Sequence, residues 1–147
     1  MSDPKQLAKV LELAEQAFEQ ASLNLRSANS AVAACRQQLQ QLQNYRWDYV
    51  KQAQQQAGAT LSASDYQQYH HFIAKLDAAI VQQNNKLEQS VQAQQQRQGL
   101  WQEAQQRQKA IALLLEKEQT RRAQALAQRE QRAMDEFALQ QYVRRGR

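Results

Sequence analysis

Apolar residues recur along the first third of the chain at alternating intervals of four and three: Leu7, Leu11, Ala14, Phe18, Ala21, Leu25, Ala28, Val32, Cys35, Leu39, Leu42, Arg46, Tyr49 and Ala53. Only Arg46 interrupts the apolar series. A seven-residue repeat sustained this long is the signature of a coiled coil, with Leu11 at an a position and Leu7 at a d position. Pro4 is tolerated in a first helical turn, and Ser2 or Asp3 is placed to cap it. The pattern stops at Ala57-Gly58-Ala59-Thr60-Leu61-Ser62-Ala63-Ser64. Gly58 suits the left-handed conformation that ends a helix. Ser62 and Ser64 are candidate caps for the next helix, and Ser64 has capping-box spacing to Gln67.

A second helix follows on Tyr66, Tyr69, Ile73, Leu76, Ile80, Gln83, Leu87 and Ser90. The same frame then passes Gln94 and Arg97 to reach Trp101, Ala104, Gln108, Ile111 and Leu115. Its centre is polar at several seam positions and should pack weakly. Gly99 adds a soft spot, costing roughly 1 kcal/mol relative to alanine. These patterns predict an all-α fold, a long two-helix antiparallel coiled-coil hairpin with an overhanging C-terminal helix. It forms a single coiled-coil domain over residues 1–147, with a helix over about 4–57, a turn over about 58–63 and a helix over about 64–142. About 53 residues before the turn make roughly 80 Å of helix, and about 77 after it make roughly 115 Å. The chain beyond about Glu118 should therefore overhang as a lone helix that frays until a partner receives it.

Six of the ten aromatic residues fall between Tyr45 and Phe72, three of them in the stretch NYRWDY at residues 44–49. In an antiparallel pair the g positions of both helices line one flank. Near the turn that flank carries Gln38 and Tyr45 from the first helix, with Phe72 and Ala79 from the second. Leu42, Tyr49, Leu76 and Gln83 adjoin them at d positions. The opposite flank carries Arg36, Gln43, His70, Asp77 and Asn84, with only Val50 apolar. Apolar surface that spills from the seam on one side marks a partner site. The plainer alternative is that Tyr45 and Phe72 thicken the two-helix core. Trp47, at a b position, is either a second contact or folds along Tyr49 or Val50.

Composition supports helix: 32 glutamines accompany Ala, Leu, Glu, Lys and Arg, while Gly (3) and Pro (1) are scarce. Cys35 is the only cysteine, which excludes an intrachain disulfide and fits a reducing compartment. At a d position it reads as a small core residue, with a reactive thiol the alternative. No basic, apolar and small-residue series opens the chain, so no signal peptide is expected. The longest apolar run, Ala110 to Leu115, is far shorter than the roughly 20 residues a bilayer requires. A cytoplasmic protein without membrane insertion is expected. His70 and His71 are adjacent and diverge by about 100° on a helix, so they cannot share a metal. No phosphate-binding glycine loop is present, and a helix pair lacks the enclosed pocket that catalysis needs. No catalytic, cofactor or metal site is expected. The net charge of +5 is concentrated at the end: from Arg121 to Arg147, seven arginines face three acidic residues, a net +4. A coiled-coil nucleic-acid binder working through these arginines is one reading. The interleaved Glu130, Asp135 and Glu136 weigh against it. So does the apolar side formed by Met134, Phe137, Ala138 and Tyr142, which suits a protein cavity better than a duplex.

The blocks LQQLQNYRWDYVKQ (39–52), DYQQYHHFIAKLDAAIVQQ (65–83) and AMDEFALQ (133–140) carry a resemblance to a known family. With them the chain resembles the flagellar FliJ family, small antiparallel coiled-coil proteins of the flagellar type III export apparatus. The resemblance implies a fold similar to the coiled-coil stalk of the rotary ATPase gamma subunit. It implies paired terminal ends that associate with the hexameric export ATPase and promote assembly of its ring. It also implies contact with the cytoplasmic domain of the export-gate membrane protein FlhA, at the cytoplasmic face of the inner membrane at the flagellar base. A chaperone-escort role is attributed to the family. Carried over residue by residue, the gate-binding surface comprises Gln38, Leu42, Tyr45, Tyr49, Phe72, Leu76 and Ala79, with Gln83 at its edge. No motif of similar sharpness marks the ATPase end. Geometry favours the start of the first helix and the overhang, with Arg121, Arg122, Arg129, Arg132, Met134 and Phe137 as candidates. The stalk protein of an injectisome is an alternative that pattern alone separates poorly.

Overall fold

The computed structural model describes residues 3–56 and 62–146. Two helices account for nearly all of them, α1 over Pro4–Gln56 and α2 over Ala63–Arg145, with no strand among the described residues. The start of α1 is capped by Asp3, whose Oδ1 accepts the Lys5 backbone N–H at 3.2 Å and whose carbonyl accepts that of Leu7 at 2.9 Å. Pro4 takes the first helical position, where its missing N–H costs nothing. For α2 the structure selects Ser62 over Ser64 as the cap. The Ser62 Oγ accepts the Asp65 N–H at 3.1 Å, and Ser64 lies inside the first turn. Asp65 in that turn and Arg144 and Arg145 in the last one complement the helix dipole. The expected turn glycine, Gly58, lies outside the described residues with its neighbours to Leu61.

The chain packs as two units, each built from both helices. One is Gln20–Gln102; the other joins α1 up to Glu19 with α2 from Glu103 onward. Within the first unit, cross-helix hydrogen bonds pair Ser22 with Trp101, Asn29 with Gln94, Gln38 with Gln83 and Arg46 with Asp77. Partners rise along α1 as they fall along α2, so the helices run antiparallel here. Burial follows the heptad frame. Every α1 seam position from Leu7 to Ala53 is buried or half-buried, while most residues between them are exposed. On α2 the frame holds from Tyr69 to Leu115 with one exposed position, Arg97. The core is thin: among the described residues only Leu7, Ala14, Val32 and Leu76 are buried hydrophobics. Two helices can enclose a line of side chains but not a volume.

Two polar features of the first unit have a physical cause. Arg46 is half-buried at its seam position, and its Nε donates to Asp77 Oδ1 at 2.6 Å, so its charge is paired there. That hydrogen bond, followed by the Asp77 charge, raises the Arg46 pKa further above its ordinary value. The polar centre of α2 is equally satisfied: Gln94 Nε2 donates to Asn29 Oδ1 at 2.6 Å and Trp101 Nε1 to Ser22 Oγ at 2.9 Å. Cys35 Sγ and Ser90 Oγ lie 3.4 Å apart. No buried side-chain N or O among the described residues lacks a hydrogen bond. The second unit buries Leu7 and Ala14 of α1 and half-buries α2 along Ala104, Gln108, Ile111, Leu115 and Glu118. From 119 to 146 every residue is exposed, yet α2 stays helical to Arg145.

Candidate functional site: an aromatic flank and an uncovered helix

Tyr45 and Phe72 lie on the same flank of the first unit, their ring centroids 6.0 Å apart and nearly perpendicular at 70°. Phe72 continues to Tyr49 at 4.5 Å, and Tyr49 stacks on Tyr69 at 5.6 Å with only 9° between planes. His70 sits edge-on to Tyr69 at 5.3 Å and to Tyr66 at 4.2 Å. The rings thus form one continuous row rather than scattered pairs. Sequence periodicity puts His70 on the other flank from Tyr45 and Phe72, and its ring contacts are with Tyr66 and Tyr69 of its own helix. Tyr49, Tyr66 and Tyr69, with Gln52 and Gln68, also border an open cleft of ≈ 490 Å³.

The eight residues of the expected gate surface lie in one unit but at different depths. Gln38 and Tyr45 are exposed, Tyr45 by 53%. Leu42, Tyr49, Phe72 and Ala79 are half-buried. Leu76 and Gln83 are buried at 7% each, beneath the flank rather than on it. A half-buried aromatic row around an exposed tyrosine offers apolar area already held in place, so ordering it costs little on binding. Trp47 is 68% exposed, separate from that row.

The overhang offers a different surface. Arg121, Arg122, Arg129, Arg132, Met134 and Phe137 are all exposed, as are Leu126, Leu139, Tyr142 and Val143. The arginines are not equivalent. Arg121 grips Glu118 with both Nη2 and Nε, at 2.7 and 3.2 Å, and Arg122 Nε adds a contact at 3.3 Å. The Arg121 hydrogen bond is the main cause that lowers the Glu118 pKa to about 2. Arg129 and Arg132 have no ion pair among the described residues, so their charge is free for a partner. Leu126, Met134 and Phe137 are exposed by 57%, 68% and 61%. Lone exposed apolar residues are ordinary, but these recur along a stretch of α2 in which every described residue from 119 to 146 is exposed.

Among the described residues no group of three or more His, Cys, Asp or Glu could hold a metal ion. No helix among them is long and apolar enough to cross a membrane. Residues 4–147 match the family model described as Flagellar FliJ protein. No curated protein and no solved structure matches the chain.

Proposed function

The chain belongs to the flagellar FliJ family and is a flagellar export-associated protein, and from that premise we propose that it works as a two-ended adaptor. In this reading the aromatic flank binds the cytoplasmic domain of the export-gate protein FlhA. The uncovered end of α2, with the start of α1, binds the hexameric export ATPase. The protein makes and breaks no bond; it is peripheral at the cytoplasmic face of the inner membrane, and export chaperones are further partners. The observation that carries the reading is the convergence of Tyr45, Phe72 and Tyr49 on one flank. Tyr45 serves as the exposed anchor, and Leu42 and Ala79 supply the apolar rim. Anchors of this kind dominate protein interfaces because they bury large area with few rotatable bonds.

At the other end, Arg129, Arg132, Met134 and Phe137 suit a cavity that is apolar in its depth and acidic at its lip. Arg121 and Arg122 are already neutralised in part by Glu118, so they contribute less to a new ion pair. The family match is to a flagellar description, which favours flagellar export over the injectisome reading. The apolar series on the overhang favours a protein partner over nucleic acid. Co-purification with the export ATPase, with and without the last 27 residues, tests the ATPase arm. Retention only by the full chain is expected; equal retention, or none in either case, removes it. Binding to duplex DNA that falls steeply with salt would favour the nucleic-acid reading instead.

A further inference from the structure

Gln83 is the buried polar residue of the described chain, 7% exposed at a d position of α2. Its single amide nitrogen spends both hydrogens on α1. One N–H goes to the backbone carbonyl of Cys35 and the other to the side-chain Oε1 of Gln38, each at 3.1 Å. The Cys35 carbonyl is fixed by its helix, so it anchors the Gln83 amide. Gln38 is different: it is exposed, at the g position one heptad before Tyr45, about 10 Å along the helix. A free surface glutamine samples many rotamers. This one has its oxygen held from beneath.

We propose that Gln83 is a positioning residue, which orients the Gln38 amide from inside the seam for hydrogen bonding to a partner. With its oxygen engaged by Gln83, Gln38 has its NH₂ left to offer outward. The partner group it fits is therefore an acceptor oxygen, a backbone carbonyl or a carboxylate, beside the apolar pocket that receives Tyr45. The inference rests on the proposed gate-binding role of this flank. It differs from a contact role for Gln83 itself, which its burial denies.

Apolar replacement of Gln83 strands nothing. Gln38 Oε1 is exposed and turns to water, and the Cys35 carbonyl remains within its helix. Gln83→Met, with Gln83→Leu as a second variant, should melt at or above the wild-type temperature. Both should nevertheless bind the gate cytoplasmic domain about three- to tenfold more weakly, the range of one net hydrogen bond. Gln38→Ala should weaken binding similarly, and the Gln38→Ala/Gln83→Met double variant no further than Gln38→Ala alone. Wild-type affinity in both Gln83 variants overturns the proposal, and so does a double variant whose losses multiply. Tyr45→Ala in the same titration separates the two levels. If it weakens binding while the Gln83 variants do not, only the positioning role fails. If it binds as wild type, the gate-surface reading itself has failed.

Discussion

Between Tyr69 and Ile80 the seam of α2 is aromatic and aliphatic; between Gln83 and Trp101 it is largely amide, hydroxyl and indole N–H. Both stretches face α1 in one heptad frame within one packing unit. In the first, apolar surface exceeds what two helices can enclose, and the surplus emerges as the Tyr45–Phe72–Tyr49 row. In the second, Asn29–Gln94, Ser22–Trp101 and Gln38–Gln83 spend the interface on hydrogen bonds. Each such bond exchanges for water at small net gain, whereas an unpaired buried amide is expensive. The aromatic stretch carries surplus apolar surface, and the amide stretch carries paired polar groups.

The largest effect expected from that contrast is at Leu76. Buried between the helices at the aromatic end, its replacement by alanine should cost about 2–3 kcal/mol, measured by urea melts followed by circular dichroism. A cost no greater than that of any amide substitution would erase the distinction. In the amide stretch, Gly99 has open space around it: a Cβ there meets nothing within 4 Å. Gly99→Ala should stabilise the protein by about 1 kcal/mol, by removing unfolded-chain freedom in a helix interior. No gain in melting temperature would mean that the glycine serves the native helix. Smaller still, Gln94→Ala should cost about 0.5 kcal/mol, because Asn29 regains water at an exposed position. A loss comparable to Leu76→Ala would show that the amide pairs carry stability after all.

Much of the seam was legible from spacing alone, because the heptad fixes which face of each helix is covered, and the coverage from Leu7 to Ala53 follows it. The end of coverage at Glu118 was legible too, from the unequal helix lengths. Spacing gives phase along one helix but not which side chains meet across two. The pairing of Asn29 with Gln94 was therefore invisible, as Asn29 lies off the α1 seam. The choice of Ser62 over Ser64 depended on where the chain enters α2, and Arg46 read as a flaw until Asp77 came within reach. Gln83 was placed at the edge of the candidate surface. Its burial follows from the d position, but the amide's bond to the Cys35 carbonyl is something no pattern of residue types specifies.

Acid sharpens the contrast with the least perturbation. The amide stretch holds its partners through neutral groups, whereas Glu118 in the other unit depends on its charge. Its pKa is lowered from 4.5 to about 2 by Arg121 and Arg122, so the stabilisation is whole above pH 4.5 and is lost as pH falls towards 2. NMR titration of the Glu118 carboxyl should show a midpoint well below that of a free glutamate, and Arg121→Gln should raise it. An ordinary midpoint would mean that the two arginines are not held.

The proposed adaptor role depends on the aromatic flank being a docking surface. The most direct measurement is a calorimetric titration of the FlhA cytoplasmic domain with wild type and with Tyr45→Ala/Phe72→Ala, matched for helicity by circular dichroism. An affinity loss of at least about tenfold with helicity unchanged is the predicted result. Equal affinity of the two proteins would contradict it.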